Sequence, residues 1–159
     1  MKSIIIFYSY SGNTRKVTNL LAEYLKEKGQ TDIIDLRPMD ESHSFFGQCR
    51  RAFLKKRAKI ETVNFNLSGY DLICLGTPVW AFAPTPAMNT YLDKCFGLEN
   101  KEVILFTTYG SGTGNQRCLN YMQSILTKKG VKHFNRFSIQ QFKVNNGEFI
   151  TKVINESLE

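Results

Sequence analysis

Apolar residues along the chain follow two rhythms. Four short runs, "SIIIFYS", "DIIDL", "DLICLGT" and "EVILFTT", are rich in β-branched or aromatic residues and stop at turn residues. Continuous runs of that length predict strands buried on both faces. Between them lie segments of helical length. After Thr14, the apolar positions Val17, Leu20, Leu21, Tyr24 and Leu25 recur at intervals of three and four, one face of a helix, and Gly29 is a natural stop. "TPAMNTYLDKCFG" (85–97) and "NQRCLNYMQSILTKKG" (115–130) predict two more helices, the second ending in lysines and Gly130 as a helix C-terminus prefers. A fifth strand fits within "KHFNRFSIQQF" and a closing helix within "NGEFITKVINESL".

Strands alternating with helices imply βαβ units, and hence an α/β domain whose five strands form a doubly wound parallel sheet with helices on both faces. With 159 residues and no repeat, low-complexity segment or linker, residues 1–159 are expected to form a single domain. Ligands of such sheets sit beyond the carboxyl ends of the strands, near a switch in strand order. The loops that follow the strands are therefore the places to look for chemistry.

Three of them stand out. "SYSGNT", Ser9 to Thr14, joins the first strand to the first helix. Amides at a helix N-terminus favour an anion, the hydroxyls of Ser9, Ser11 and Thr14 add donors, and Gly12 lets the backbone curl close, so the loop suits a phosphate. A plain capped turn, with Ser11 or Asn13 satisfying helix amides, is the competing reading. "TPVWAFAPTP", Thr77 to Pro86, follows the third strand with three prolines and the single tryptophan of the chain. Trp80 and Phe82 in a stiffened loop can wall a flat ligand, or Trp80 can fill a gap in the core. "TTYGSGTGN", Thr107 to Asn115, follows the fourth strand; its three glycines permit close backbone approach and Tyr109 offers a second wall. Together these features converge on an elongated aromatic phosphate ester.

On these residues the chain resembles the flavodoxins and the short flavodoxin-like flavoproteins, and the resemblance covers essentially the whole chain in its order of elements. It implies the strand order 2-1-3-4-5, FMN as cofactor, and a phosphate grip by the Ser/Thr-x-Ser/Thr-Gly-x-Thr loop, here Ser9, Tyr10, Ser11, Gly12, Asn13 and Thr14. It further implies that Thr77, Pro78, Val79, Trp80 and Ala81 flank the isoalloxazine ring, with Thr108, Tyr109, Gly110 and Gly112 covering its other side. Two features depart from the family. Flavodoxins proper are usually acidic, whereas this chain carries a net charge of +7, and Ala81 or Phe82 stands near the place where a glycine is familiar.

The resemblance leaves two functions open: an electron carrier, as the main expectation, and an NAD(P)H-dependent FMN oxidoreductase acting on a quinone or other small acceptor. The carrier needs an exposed flavin edge; the enzyme needs a pocket above the ring. Other phosphate-binding readings fail on residue type. Ser9 and Arg15 have the spacing of the low-molecular-weight tyrosine phosphatase loop, but a serine lacks the thiolate that chemistry requires. Neither a Walker loop nor a dinucleotide fingerprint is present.

The positive charge concentrates in "CRRAFLKKRAK", Cys49 to Lys59, which holds six cations and no acid. As a helix it would gather Phe45, Phe46, Cys49, Ala52 and Phe53 on one apolar face and turn its cations, Arg50, Arg51 and Lys55 among them, to solvent. The stretch from Arg50 to Lys59 is the expected docking surface for a redox protein, in particular an acidic one. No nucleic-acid partner is expected, since a charge run without an aromatic groove or motif is ordinarily a solvated face.

Cys49, Cys74, Cys95 and Cys118 are too dispersed for a zinc site or a Cys-x-x-Cys motif, and His43 and His133 lack ligand companions, so no metal is expected. No stretch approaches the ~20 apolar residues of a membrane span. "MKSIIIFYS" is too short in its apolar core for a secretory signal, and the expected location is the cytoplasm.

Overall fold

The structure, a computed structural model, describes residues 1–40, 44–110 and 112–158. Its strands are β1 (Lys2–Phe7), β2 (Gln30–Asp35), β3 (Leu72–Pro78), β4 (Glu102–Tyr109) and β5 (His133–Gln140). The helices are α1 (Asn13–Lys26), α2 (Phe45–Phe53), α3 (Pro86–Lys94), α4 (Asn115–Lys128) and α5 (Gly147–Leu158). All strand pairs are parallel, in the order β2-β1-β3-β4-β5. The chain therefore switches direction across the sheet between β1 and β3, and the two loops that leave those strands diverge above that point.

Alternation along the central strands sorts side chains into two cores. Ile4, Ile6, Ile73, Leu75, Val103 and Leu105 face one side, against Met88, Tyr91 and Leu92 of α3 and Cys118, Leu119 and Met122 of α4. Ile5, Phe7, Cys74, Ile104 and Phe106 face the other, against Val17, Leu21 and Leu25 of α1 and Ile150 and Ile154 of α5. Because both sides are covered, β1, β3 and β4 read as unbroken apolar runs, while the edge strand β2 is only half-buried. Gly76 has a specific packing role: a Cβ there would lie 2.1 Å from Cζ of Phe106, whose ring stacks on Phe137 at 5.5 Å between centroids.

The basic segment corrects an expectation. It forms α2, but its buried residues are Gln48 and Ala52, while Phe46 is 82% and Phe53 58% exposed. The rotation of the helix is set by contacts that a helical wheel does not contain. Phe45 packs on Trp80 with centroids 5.9 Å apart, and Arg51 is drawn down to Asp40, donating to its carboxylate at 3.1 Å and its carbonyl at 2.8 Å. The cations are correspondingly not all free: Arg51 pairs with Asp40 and Arg57 with Asp93, whereas Arg50, Lys55, Lys56 and Lys59 are exposed. His43 lies outside the described residues, as does Ser111 of the third loop. Among the described residues, no helix is long and apolar enough to cross a membrane.

Candidate functional site

Beyond the carboxyl ends of β1, β3 and β4 the three loops enclose a cavity of about 480 Å³. Its floor on one side is the start of α1. Gly12 precedes the helix at φ 89°, a left-handed conformation that glycine adopts without strain, and having no side chain it offers no cap of its own. The helix starts at the cavity, with Ser11, Asn13 and Thr14 in its lining. A Cβ at Gly12 would meet nothing within 4 Å, so the turn is held by its φ and not by crowding.

Thr14 is 1% exposed, and its hydroxyl lies 2.8 Å from that of Thr108, itself buried. This bond fastens the α1 turn to the end of β4. Ser9 performs a different task from the one expected of it, because its Oγ accepts the amide of Arg15 at 3.2 Å and it does not line the cavity. Ser9 thus caps the first turn of α1, a task the competing reading gives to Ser11 or Asn13.

Pro78, Val79, Trp80 and Ala81 form the apolar wall. Thr77 lies beneath them, fully buried, accepting the amide of Thr85 at 3.3 Å and donating to the carbonyl of Pro78 at 3.0 Å. It anchors the loop. The loop itself turns back tightly, since Trp80 and Ala83 exchange both backbone hydrogen bonds at 3.0 Å. The two central residues, Ala81 at φ 47° and Phe82 at φ 66°, are both in the left-handed region. Hairpin turns of that kind strongly prefer glycine or asparagine, and for ordinary L-residues the conformation costs about 1–2 kcal/mol each. Phe82 is seated against Gly114 at the start of α4, where a Cβ would approach its Cδ1 to 2.5 Å.

Trp80 is only 5% exposed. It is wedged edge-on among Tyr8, Tyr10 and Phe45 at centroid separations of 5.7, 5.5 and 5.9 Å, so one residue serves both readings, as core filler and as cavity wall. Thr108, Tyr109 and Gly110 close the side under β4, and Gly112 lies away from the cavity, with nothing within 4 Å of its Cβ position.

Three lining residues escaped the sequence: Phe45 and Cys49 of α2, and Gln141 just after β5. Gln141 follows the carboxyl end of a strand, which is the signal that could have found it; its amide packs 3.3 Å from the Cβ position of Gly110. Phe45 and Cys49 carried no such signal, because a helical wheel gives them an apolar face without showing what that face meets. Burial pushes the Cys49 thiol above its ordinary pKa. It is therefore a poor nucleophile near neutral pH and contributes shape.

The cavity lies at the switch in strand order, with the N-terminus of α1 at one end and an aromatic wall at the other. Residues 1–143 match the family model of NADPH-dependent FMN reductases. The chain belongs to that family. An NAD(P)H dehydrogenase (quinone) of Rhodopseudomonas palustris (strain BisB18) is 30% identical over 122 residues, 72% of this chain and 60% of that protein, so the chain spans about 60% of its relative's length. A flavoprotein of Lactobacillus acidophilus NCFM, solved with FMN, superposes with a TM-score of 0.69 at 21% identity, covering 92% of this chain and 98% of that one. Oxidised flavodoxin 2 of Bacillus cereus gives 0.62 at 17% identity, covering 98% and 99%. These structures establish the flavodoxin-like fold.

FMN is the cofactor of the FMN reductase family, and the residues here fit it. The start of α1, with Ser11, Asn13 and Thr14 lining the cavity, suits a phosphate, and the shelf from Pro78 to Ala81 suits a planar ring.

Proposed function

We propose that the protein is an FMN-dependent oxidoreductase that takes reducing equivalents from a reduced nicotinamide and passes them to a small planar acceptor such as a quinone. The observation that carries this reading is the placement of α2. Phe45 and Cys49 raise a wall beside Trp80, so the site is a pocket with room beside the aromatic shelf rather than a bare edge. The connection between β2 and β3 supplies that wall.

Bound FMN would supply the chemistry, hydride acceptance from a nicotinamide and electron return to the acceptor. The protein's residues hold and enclose. The first amides of α1, with the Ser11 hydroxyl and the Asn13 side chain nearby, hold the phosphate end. Pro78, Val79 and Trp80 keep water from the apolar face, and Phe45 and Tyr10 close the mouth on the α2 side, their rings 5.9 Å apart.

An electron carrier is the second reading. It is favoured by Arg50, Lys55, Lys56 and Lys59, exposed on and after the helix that walls the site, where an acidic redox protein would be steered by charge. Anaerobic mixing of the FMN-loaded protein with NADPH and with NADH separates the two. Rapid bleaching of the flavin absorbance is the expected result. Absence of bleaching by either nucleotide, with normal reduction by dithionite, sinks the enzyme reading in favour of the carrier.

A further inference from the structure

A second cavity, of about 430 Å³, opens beside the first at the carboxyl end of β2. Tyr10 lines both, so the two spaces share one wall. Arg15, Asp35 and Arg37 contribute its charges. Asp35 is the last residue of β2, and its side chain is 20% exposed. Its Oδ2 accepts from Nη2 of Arg15 at 2.8 Å, and among the described residues its Oδ1 has no partner. Arg37 is held at the backbone, where its carbonyl accepts the amide of Glu61 at 3.0 Å and Pro38 bridges to Ile60. Its guanidinium is exposed and, among the described residues, makes no ion pair or hydrogen bond.

We propose that this cavity binds the 2′-phosphoadenosine end of NADPH, with Arg37 as the residue that selects the phosphorylated nucleotide. The proposal rests on the reductase reading above.

Chemistry and position both support it. A carboxylate can accept ribose hydroxyls, and an arginine close by can take a 2′-phosphate through its fork of donors. Here β2 ends in Asp35 with Arg37 two residues on. Arg15 neutralises one oxygen of Asp35, so the carboxylate can accept a sugar hydroxyl without repelling a phosphate, and the unpaired fork of Arg37 matches phosphate geometry bidentately. Position supplies continuity, because a dinucleotide whose nicotinamide enters the main cavity passes the Tyr10 wall to reach this one. An isolated exposed arginine would mean nothing, since most are surface groups. What sets Arg37 apart is a fixed backbone, an unpaired head and a cavity that also holds a half-shielded carboxylate.

The test is calorimetric titration of the FMN-loaded protein with adenosine 2′,5′-bisphosphate, 5′-AMP and inorganic phosphate, on the wild type and on Arg37→Glu and Arg37→Lys. The bisphosphate should bind at least about tenfold more tightly than AMP. Arg37→Glu should remove that advantage, Arg37→Lys should restore part of it, and FMN affinity and melting temperature should be the same in all three proteins. The proposal is overturned if the bisphosphate does not bind, if Arg37→Glu binds it as well as the wild type, or if inorganic phosphate competes as strongly as the bisphosphate. The flavin-bleaching assay runs alongside. NADPH bleaching with bisphosphate binding indifferent to Arg37 removes this site and keeps the reductase; bisphosphate binding through Arg37 without bleaching by either nucleotide keeps the site and removes the reductase.

Discussion

At the scale of single residues, the site divides into groups that face the cavity and groups that hold those in place. Thr14 belongs to both sets, because it lines the cavity yet spends its hydroxyl on Thr108 at 2.8 Å. Thr14→Val would keep the shape and leave the buried Thr108 hydroxyl without a partner, at a cost of about 1–3 kcal/mol. The loss should appear in urea unfolding of the cofactor-free protein, before any effect on FMN is considered. A variant as stable as wild type, with weakened FMN binding only, would show that the hydroxyl serves the ligand and not the turn. Trp80 is another residue of double use: its edge contacts with Tyr8, Tyr10 and Phe45 tie the loop after β1 and α2 together through a single indole.

At the scale of elements, the sequence was legible wherever periodicity is imposed by the sheet. The runs of β1, β3 and β4 are apolar throughout because both faces are covered, and their limits agree with the structure to within about two residues, as is usual for element ends. The loops after β1 and β3 were legible as cavity-lining segments too, since glycine, proline and hydroxyl residues at strand ends have local causes. The orientation of α2 was not. Its wheel gathers Phe45, Phe46, Cys49, Ala52 and Phe53, but tertiary contacts through Phe45 and Arg51 rotate it so that Gln48 is buried and Phe46 is exposed. Nothing in a nine-residue helix records where its neighbours stand. Gly76 was similarly silent within "LICLGT", although a side chain there must displace the Phe106 ring from 2.1 Å. Gly76→Ala should therefore destabilise the protein by about 1–3 kcal/mol despite the higher strand preference of alanine. A melting temperature equal to wild type would mean that the Phe106–Phe137 stack yields freely.

At the scale of the whole molecule, burial of sulfur links stability to alkaline pH. Burial raises the thiols of Cys74, Cys95 and Cys118, the second to about 11 because Lys129 partly opposes the effect, from the 9.0 of an exposed thiol. Below pH 9.0 folded and unfolded chains hold the same thiol protons and these groups add no pH dependence. Above it the unfolded chain releases protons that the folded chain keeps, so stability falls as pH rises, by about 1.4 kcal/mol per pH unit for each such thiol. Melting temperatures measured from neutral pH upward should be flat and then decline, and Cys74→Ala should decline less steeply from a lower start. Parallel curves for the two proteins would dissociate the decline from this thiol.

The turn at Ala81 and Phe82 constrains what the chain can become. Both residues hold a backbone shape that few side chains tolerate. Variation at these two sites is consequently filtered by dihedral angle before chemistry: glycine and asparagine are easy arrivals, β-branched residues are barred, and the neighbouring wall can diversify while this hinge of two residues stays narrow.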